Sequence, residues 1–370
     1  MRASLFCRPF GKFFYFPKVR DLKTCLTKLS ESEKLSESRG GCCEVFHFCR
    51  AAFFILLTAR TMYDLVKTPF GKYTRYTLQH EATGNAFSIV PERGATLLDI
   101  TLAGQQILDG YQTPEELDIA KFGKSALLFP FPNRLDRGRY EWLGKRYQFP
   151  INNVATENAI HGFVREEAFE VEFVFLAKDH ASILCSFTYE GQRDYYPFPF
   201  TLEVEFMLHD SGVFTVEAAC RNLHNQAIPI GFGWHPYFRL TERVDDHSVQ
   251  LPACEKIDIQ ERMIPTGERT TFADFQRKKR LGEEMLDNCF QTAKAEGTYK
   301  LQLEHAGQRL KVQASARQFP YFQVFTPPHR NSIALEPMTG NIDAFNNGQG
   351  LITLQPDQEW KGKMTIALED

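Results

Sequence analysis

Apolar and polar residues alternate with a period of two along most of the chain after residue 62, and this pattern constrains the fold more than any other feature. In residues 200–206 every second side chain is apolar and the intervening ones are polar. Residues 169–175 show the same alternation, with glutamates at positions 170 and 172. A period of two places successive side chains on opposite faces of a strand. The sequence therefore predicts an all-β fold, a large antiparallel β-sandwich with few short helices.

Two short turn sequences interrupt this pattern. Residues 143–146 (Leu-Gly-Lys-Arg) and residues 305–308 (His-Ala-Gly-Gln) each separate two strand-like segments, which predicts two β-hairpins. Only residues 114–122 and 272–286 favour helix. No linker rich in Pro or Ser divides residues 63–370 and no internal repeat is present, so we expect one domain over residues 62–370.

The size and charge of the chain exclude several classes of protein. Its 370 residues are 43% hydrophobic and carry a formal charge of −3, so no excess of basic residues favours nucleic acid or an anionic membrane as partner. No apolar run approaches the roughly 20 residues that a membrane-spanning helix needs. We expect neither a nucleic-acid partner nor a membrane partner.

The first 61 residues differ from the rest in charge and complexity. Residues 1–60 hold 11 Lys or Arg against 5 Asp or Glu, whereas the remainder is acidic. Residues 30–41 are polar and low in complexity, and the apolar stretch 51–57 lies too far from the N-terminus for a usual signal peptide. We expect residues 1–61 to be a leader that is disordered or absent from the mature protein, with Met62 as the true start. A targeting segment stays open as the alternative.

Cysteine usage indicates a reducing compartment. Five of the nine cysteines lie in the leader, and the other four are more than thirty residues apart: Cys185, Cys220, Cys254 and Cys289. None of these four belongs to a motif with the spacing of a metal site, and the count is low for a disulfide scaffold. We expect reduced core thiols, a cytoplasmic location, and no metal or organic cofactor.

Two short motifs offer hydrogen-bond donors that suit sugar hydroxyls or a carboxylate. Asn133 and Arg134 follow a proline at a strand entrance, although an arginine that covers a sheet edge would look the same. His161 precedes Gly162, and a glycine permits close approach of the backbone. A histidine with a structural role is the plainer interpretation of the second motif.

Two further motifs carry groups that can move protons. Residues 231–238 (Gly-Phe-Gly-Trp-His-Pro-Tyr-Phe) place His235 among four aromatic rings, and imidazole is the side chain best tuned to transfer protons near neutral pH. Glu336 ends an apolar strand just before Pro337, where burial would raise the carboxyl pKa towards that of a useful base. An aromatic corner and a solvated carboxylate are the structural alternatives.

The order and spacing of these motifs resemble those of the aldose 1-epimerase family, also called galactose mutarotases. Five segments follow one another in the order of that family: Asn133-Arg134, His161-Gly162, residues 231–238, residues 286–290 (Leu-Asp-Asn-Cys-Phe) and residues 335–339 (Leu-Glu-Pro-Met-Thr). Residues 343–350 and 354–358 resemble the family's C-terminal end. The likeness covers about residues 63–370, and it implies a β-supersandwich with the site in a cleft on its concave face.

The resemblance also implies a role for each matching residue and an activity. Glu336 corresponds to the general base and His235 to the general acid. The substrate-holding positions correspond to Arg134, Asn133, His161 and Asp287. The implied activity is interconversion of the α and β anomers of a free aldose, in which a carboxylate removes the anomeric proton and a protonated imidazole donates to the ring oxygen. Because these roles exchange on reclosure, we expect both pKa values to lie near neutrality.

The expected partner is a small sugar of the glucose or galactose class, and the chain is expected to be a monomer. Three other functions stay open from the sequence. A hexose-6-phosphate 1-epimerase would add a cationic clamp, for which the candidates are Arg137, Arg139 and Arg165. A glycoside hydrolase would use two carboxylates, with Glu336 and Asp287 as candidates. A non-catalytic carbohydrate-binding protein would keep the aromatic residues but would not need an acid/base pair.

Overall fold

The computed structural model describes residues 62–369, so the predictions about residues 1–61 and their five cysteines lie outside the described residues. Within residues 62–369 the chain forms 28 strands and two short α-helices. The first fourteen strands are β1 (Tyr63–Phe70), β2 (Tyr73–His80), β3 (Asn85–Val90), β4 (Thr96–Leu102), β5 (Gln105–Gln106), β6 (Leu127–Leu128), β7 (Arg134–Leu135), β8 (Arg139–Trp142), β9 (Lys145–Gln148), β10 (Ala159–Ile160), β11 (Glu170–Leu176), β12 (His180–Tyr189), β13 (Phe200–His209) and β14 (Val213–Asn222). The other fourteen are β15 (Ile228–Ile230), β16 (Gly233–Trp234), β17 (Tyr237–Phe238), β18 (Ser248–Gln250), β19 (Cys254–Ile259), β20 (Pro265–Phe272), β21 (Lys279–Arg280), β22 (Asp287–Thr292), β23 (Thr298–His305), β24 (Gln308–Ser315), β25 (Tyr321–Phe325), β26 (Ile333–Met338), β27 (Ile352–Leu354) and β28 (Glu359–Glu369). The helices are α1 (Pro114–Ile119) and α2 (Ala344–Asn347).

The largest sheet has nine strands in the order β11-β12-β13-β14-β28-β24-β23-β18-β21. Neighbouring strands in this order pair antiparallel. The alternation predicted for residues 200–206 is confirmed in β13, where the apolar side chains are fully buried: Phe200, Leu202, Val204 and Phe206. One face of this sheet therefore supplies one wall of the core.

A second sheet shares its core with the first. Its order is β20-β19-β22-β25-β26-β16-β6, and β17 also pairs with β26. Tyr299 of β23 meets Phe322 of β25 in the core, with ring centroids 5.6 Å apart. The five-stranded sheet β1-β2-β3-β4-β5 joins the same core through Phe87, whose ring lies 5.1 Å from that of Phe214. The predicted all-β antiparallel sandwich is confirmed.

The alternation predicted for residues 169–175 is wrong after Val171. A β-bulge between Val171 and Phe173 shifts the register of β11 against β12. The extra residue moves every following side chain to the opposite face of the sheet. Phe173 and Phe175 are therefore 50% and 48% exposed, whereas Val174 packs against the core.

Both predicted hairpins are confirmed, and each turn has two residues. Leu143 and Gly144 join β8 to β9, and Ala306 and Gly307 join β23 to β24. All four residues have positive φ, which the commonest two-residue hairpin turn requires at both central positions.

The first predicted helix is confirmed in a shorter form. The side chain of Thr113 caps α1 by accepting a hydrogen bond from the Glu116 amide, and Pro114 suits the first helical turn. The helix ends at Ile119, the C-cap Ala120 has a φ of +50°, and a 3-10 turn follows over Lys121–Gly123. No helix within residues 62–369 is long and apolar enough to cross a membrane.

The helix predicted over residues 272–286 is wrong. The strand β20 ends where that helix should begin, and β21 pairs with β18 at the edge of the nine-stranded sheet. The amide of Leu251 donates to the Phe275 carbonyl, and the amide of Leu281 donates to the His247 carbonyl. These long-range bonds and the burial of Phe275 and Leu281 outweigh the local helix propensity of the segment.

The four cysteines after the leader are free and buried, as predicted: Cys185, Cys220, Cys254 and Cys289. Burial raises the pKa of each thiol well above its ordinary value. Such thiols act as small apolar core residues rather than as nucleophiles.

Candidate active site

One pocket of about 420 Å³ gathers every site residue that the sequence analysis selected. Its lining includes Asn133, Arg134, His161, His235, Asp287 and Glu336. Pockets for small ligands usually measure about 300–1,000 Å³, so the volume suits a ligand of monosaccharide size.

Neighbouring strands of the second sheet bring the polar side chains of this pocket together. Gln323 of β25 pairs directly with Glu336 of β26, and Asp287 begins β22, the strand on the other side of β25. His235 lies between β16 and β17, the two short strands that both pair with β26. Residues that are distant in sequence thus meet over one patch of sheet.

Glu336 and His235 form a buried pair in the pocket. The two side chains belong to residues that are 1% and 5% exposed, and His235 Nδ1 lies 3.5 Å from Glu336 Oε1. Neither atom has a hydrogen-bond partner among the described residues. The imidazole stacks on the ring of Tyr237, with centroids 4.9 Å apart and an interplanar angle of 9°, which fixes its orientation. Because buried polar atoms are rarely left unpaired, these two are available to a ligand.

Burial shifts the pKa values of the two groups in opposite directions, and both shifts favour the neutral form. Desolvation and the nearby Asp287 raise the pKa of Glu336 well above its ordinary value, although Arg134 opposes the rise. Desolvation and the charge of Arg165 lower the pKa of His235 to about 3. The shift of Glu336 has the predicted direction, whereas His235 departs from the near-neutral value expected from the sequence.

A closed ring of hydrogen bonds and charge contacts surrounds one side of the pair. Asn133 Nδ2 donates to Gln323 Oε1 at 3.2 Å, and Gln323 Nε2 donates to Asp287 Oδ1 at 2.8 Å. Asp287 Oδ2 lies 4.0 Å from Arg134 Nη2, and Arg134 Nη1 donates to Asn133 Oδ1 at 3.4 Å. Each member holds the next, so the ring presents fixed donors and acceptors to a ligand. The described residues contain no group of three or more His, Cys, Asp or Glu arranged to hold a metal ion.

His161 is held by backbone contacts that depend on its glycine neighbour. Its Nδ1 lies 2.8 Å from the Pro132 carbonyl, so this nitrogen carries the proton and donates. Nε2 is then an acceptor. The ring stands edge-on to that of His235, with centroids 5.3 Å apart. A Cβ on Gly162 would lie 1.9 Å from the Phe129 carbonyl oxygen, so only glycine permits this approach.

Two residues that complete the pocket, Gln323 and Tyr237, are not among the site residues predicted from the sequence. Gln323 is the one amide within the apolar strand β25, and that interruption is the signal that could have identified it. Tyr237 belongs to the aromatic segment but had no assigned role. Its hydroxyl donates to the Phe122 carbonyl at 3.0 Å, which ties the ring under His235 to the pocket rim.

The three arginines considered for a phosphate clamp do not come together. Arg165 lines the pocket, whereas Arg137 and Arg139 are exposed residues outside its lining. Arg139 instead donates from Nε to Gln148 across its own hairpin.

The sequence profile of the aldose 1-epimerase family matches residues 74–367, most of the chain. The chain belongs to this family. Family membership makes it an isomerase with a sugar substrate, as the motifs predicted.

Relatives of known sequence agree with this placement. The chain is 29% identical over 303 residues to the uncharacterized protein YihR of Escherichia coli strain K12. This aligned region covers 79% of this chain and 94% of that protein. It is also 28% identical to human galactose mutarotase over 207 residues. This aligned region covers 54% of this chain and 56% of that protein.

Solved structures share the fold of this family member. A galactose mutarotase-like protein from Clostridium acetobutylicum has a TM-score of 0.74 at 19% identity, over 83% of this chain and 99% of that one. Galactose 1-epimerase from Lactobacillus acidophilus NCFM has a TM-score of 0.71 at 19% identity, over 84% of this chain and 99% of that one.

Proposed function

We propose that this chain interconverts the α and β anomers of an aldose with a free anomeric centre, with Glu336 as general base and His235 as general acid. The observation that supports this most is the buried Glu336–His235 pair, whose facing atoms lie 3.5 Å apart without other partners among the described residues. Ring opening needs two groups that act on neighbouring oxygens, the anomeric hydroxyl and the ring oxygen. A carboxylate beside an imidazole supplies both.

The pKa shifts describe how this pair holds its proton. Before a sugar binds, burial favours a protonated Glu336 and a neutral His235 over the carboxylate–imidazolium form. The two forms share one titratable proton, and Nδ1 and Oε1 lie 3.5 Å apart, so a small approach of the two side chains lets this proton pass directly from one atom to the other. A sugar stabilises the charged form, because its anomeric hydroxyl donates to the carboxylate and its ring oxygen accepts from the imidazolium. Substrate binding thus creates the base and the acid together.

The remaining pocket residues hold the sugar in the orientation that this chemistry requires. Arg134 and Asp287 offer charge-assisted hydrogen bonds to hydroxyl groups, and Asn133 adds an amide. His161 presents Nε2 as an acceptor, since Nδ1 is bound to the Pro132 carbonyl. A positioned acid or base contributes about 10² to 10⁴ in rate, and the pair acts as a unit.

Polarimetry of freshly dissolved α-D-glucose and α-D-galactose tests the proposal. The wild-type chain should accelerate mutarotation, and Glu336→Gln should lower kcat by about 10² to 10⁴ while its melting temperature stays at or above that of the wild type. Glu141→Gln is the matched control, because Glu141 is an exposed carboxylate in the β8–β9 hairpin. A folded wild-type protein that accelerates no aldose, or a Glu336→Gln variant with full activity, contradicts the proposal.

A further inference from the structure

Arg165 places a positive charge in the pocket that no carboxylate inside the pocket balances. Its side chain is 18% exposed and lines the pocket. The nearest acid is Glu166, whose Oε1 lies 3.8 Å from Arg165 Nε and whose side chain is 57% exposed outside the pocket lining. The described residues provide no hydrogen-bond acceptor to its guanidinium. A largely buried cation without a close partner is costly, so its donors are left for a ligand.

The second arginine of the pocket is in a different position. Arg134 belongs to the ring of contacts described above, with Asn133 Oδ1 at 3.4 Å and Asp287 Oδ2 at 4.0 Å. Arg134 therefore has an amide and a carboxylate partner inside the pocket, although its Nε is buried without a hydrogen-bond partner among the described residues. Arg165 differs in that its one close carboxylate, that of Glu166, lies outside the pocket lining, so the Arg165 donors inside the pocket are the ones left for an anion.

The two arginines also act on different members of the acid/base pair. A Cβ added to Gly123 would lie 3.7 Å from Arg165 Nη1 and 3.9 Å from His235 Cδ2. Arg165 is therefore next to the general acid. The charge of Arg165 acts on the pKa of His235, and that of Arg134 acts on the pKa of Glu336. In a pyranose the ring oxygen joins the anomeric carbon to C5, which carries C6. If His235 serves the ring oxygen, C5 lies beside His235, and Arg165 is then the cation next to the substituent on C6.

We propose that the substrate is an aldose with an oxyanion on C6 and that Arg165 binds this group, which makes Arg165 the residue that determines specificity. This inference rests on the proposed function, because the positions of O1 and the ring oxygen come from it. A carboxylate, as in a hexuronate, matches the planar fork of one guanidinium. A phosphate dianion shares the chemistry but draws on further cations, and Arg137 and Arg139 lie outside the pocket lining.

Anomer exchange measured by NMR at equilibrium tests the proposal with the full chain at neutral pH. The sugars are galacturonate and glucuronate, glucose 6-phosphate, and the neutral parents galactose and glucose. The wild type should show a kcat/KM at least about tenfold higher for a hexuronate than for its neutral parent, since a hydrogen bond to a charged group contributes at least about one factor of ten. A preference for glucose 6-phosphate instead upholds the anion site and identifies phosphate as its group.

Substitution of Arg165 separates charge recognition from a structural role. Arg165→Gln should lower the ratio of kcat/KM for an anionic sugar to kcat/KM for its neutral parent about 10- to 100-fold, mainly through the KM of the anionic sugar. Arg165→Lys keeps a cation and should restore part of the loss. Arg137→Gln, an exposed arginine outside the pocket lining, is the control. Equal losses on charged and neutral sugars, or a wild type that prefers neutral sugars, would overturn the proposal.

Calorimetric titration with galacturonate distinguishes this proposal from the proposed function. If the wild type binds galacturonate more tightly than galactose and Arg165→Gln abolishes the difference, the anion site stands even when no sugar is turned over. In that case only the proposed function fails. If galactose is turned over and neither assay responds to charge, the anion site fails and the proposed function stands.

Discussion

Gly162 is the position at which the smallest substitution should have the largest effect on this site. Its φ is +60°, and an added Cβ would lie 1.9 Å from the Phe129 carbonyl oxygen, more than an ångström inside ordinary contact. The left-handed conformation costs a non-glycine residue about 1–2 kcal/mol, and overpacking adds about 1–3 kcal/mol. Gly162→Ala should therefore lower the free energy of unfolding by about 2–5 kcal/mol.

The same clash should reduce activity beyond the loss of folded protein. The Phe129 carbonyl also accepts from the Phe163 amide at 2.9 Å, so a shift there moves the backbone that carries His161. A displacement of about 1 Å near the reacting groups can cost about 10² in rate. Urea denaturation gives the stability, and the mutarotation rate per folded molecule gives the activity.

Gly144→Ala is the matched control for Gly162→Ala. Gly144 has φ +75° in the β8–β9 turn, and an added Cβ there would meet nothing within 4 Å. It should show the conformational cost alone, about 1–2 kcal/mol, with unchanged kcat/KM. If the two variants are equally stable, or if Gly162→Ala keeps full activity, the steric argument for the His161 segment is refuted.

Two further variants test the polar network and the buried histidine. Gln323→Leu removes the hydrogen bonds to Asp287 and Asn133, so it should lower the free energy of unfolding by about 1–3 kcal/mol and lower kcat/KM. Gln302→Leu is the control, because it removes a glutamine hydrogen bond in the nine-stranded sheet and should leave kcat/KM unchanged. Since the pKa of His235 falls from 6.5 to about 3 on folding, this residue binds more protons in the unfolded state, and its contribution to the free energy of unfolding drops as pH falls from 6.5 towards 3. In His235→Asn this slope should be shallower by up to about 1.4 kcal/mol per pH unit, and parallel curves of denaturation midpoint against pH would contradict the assignment.

The sequence predicted the sandwich well because most strands alternate cleanly and have one face in the core. The prediction failed at β11, since a bulge after Val171 inserts one residue and reverses the faces that follow. It failed at residues 272–286 because this segment is bound to remote parts of the chain. The Leu251 amide donates a hydrogen bond to it, and its own Leu281 amide donates one to the His247 carbonyl. Local patterns contain no information about such partners.

Five of the six predicted site residues stand in short motifs with chemistry of their own, whereas Asp287 is predicted only through the resemblance to the aldose 1-epimerase family. Gln323 could not be predicted in that way, since its role depends on β22 and β26, the two strands that pair with its own strand β25. The low pKa of His235 was also beyond the sequence, because it depends on complete burial and on Arg165. Residue type suggests which groups can act, and packing sets their protonation.

The position of β16 between β6 and β26 has a consequence for how the protein acquires activity. Gly233 pairs with Leu128 on one side and with Met338 on the other, partners that are each roughly a hundred residues away in the chain. Contacts over such separations require large loops to close and tend to form slowly. His235 follows β16 directly, so His235 reaches Glu336 only after three remote segments have met. Recovered activity therefore reports that β6, β16 and β26 have come together, whereas far-ultraviolet circular dichroism also registers the sheets that form without these three strands.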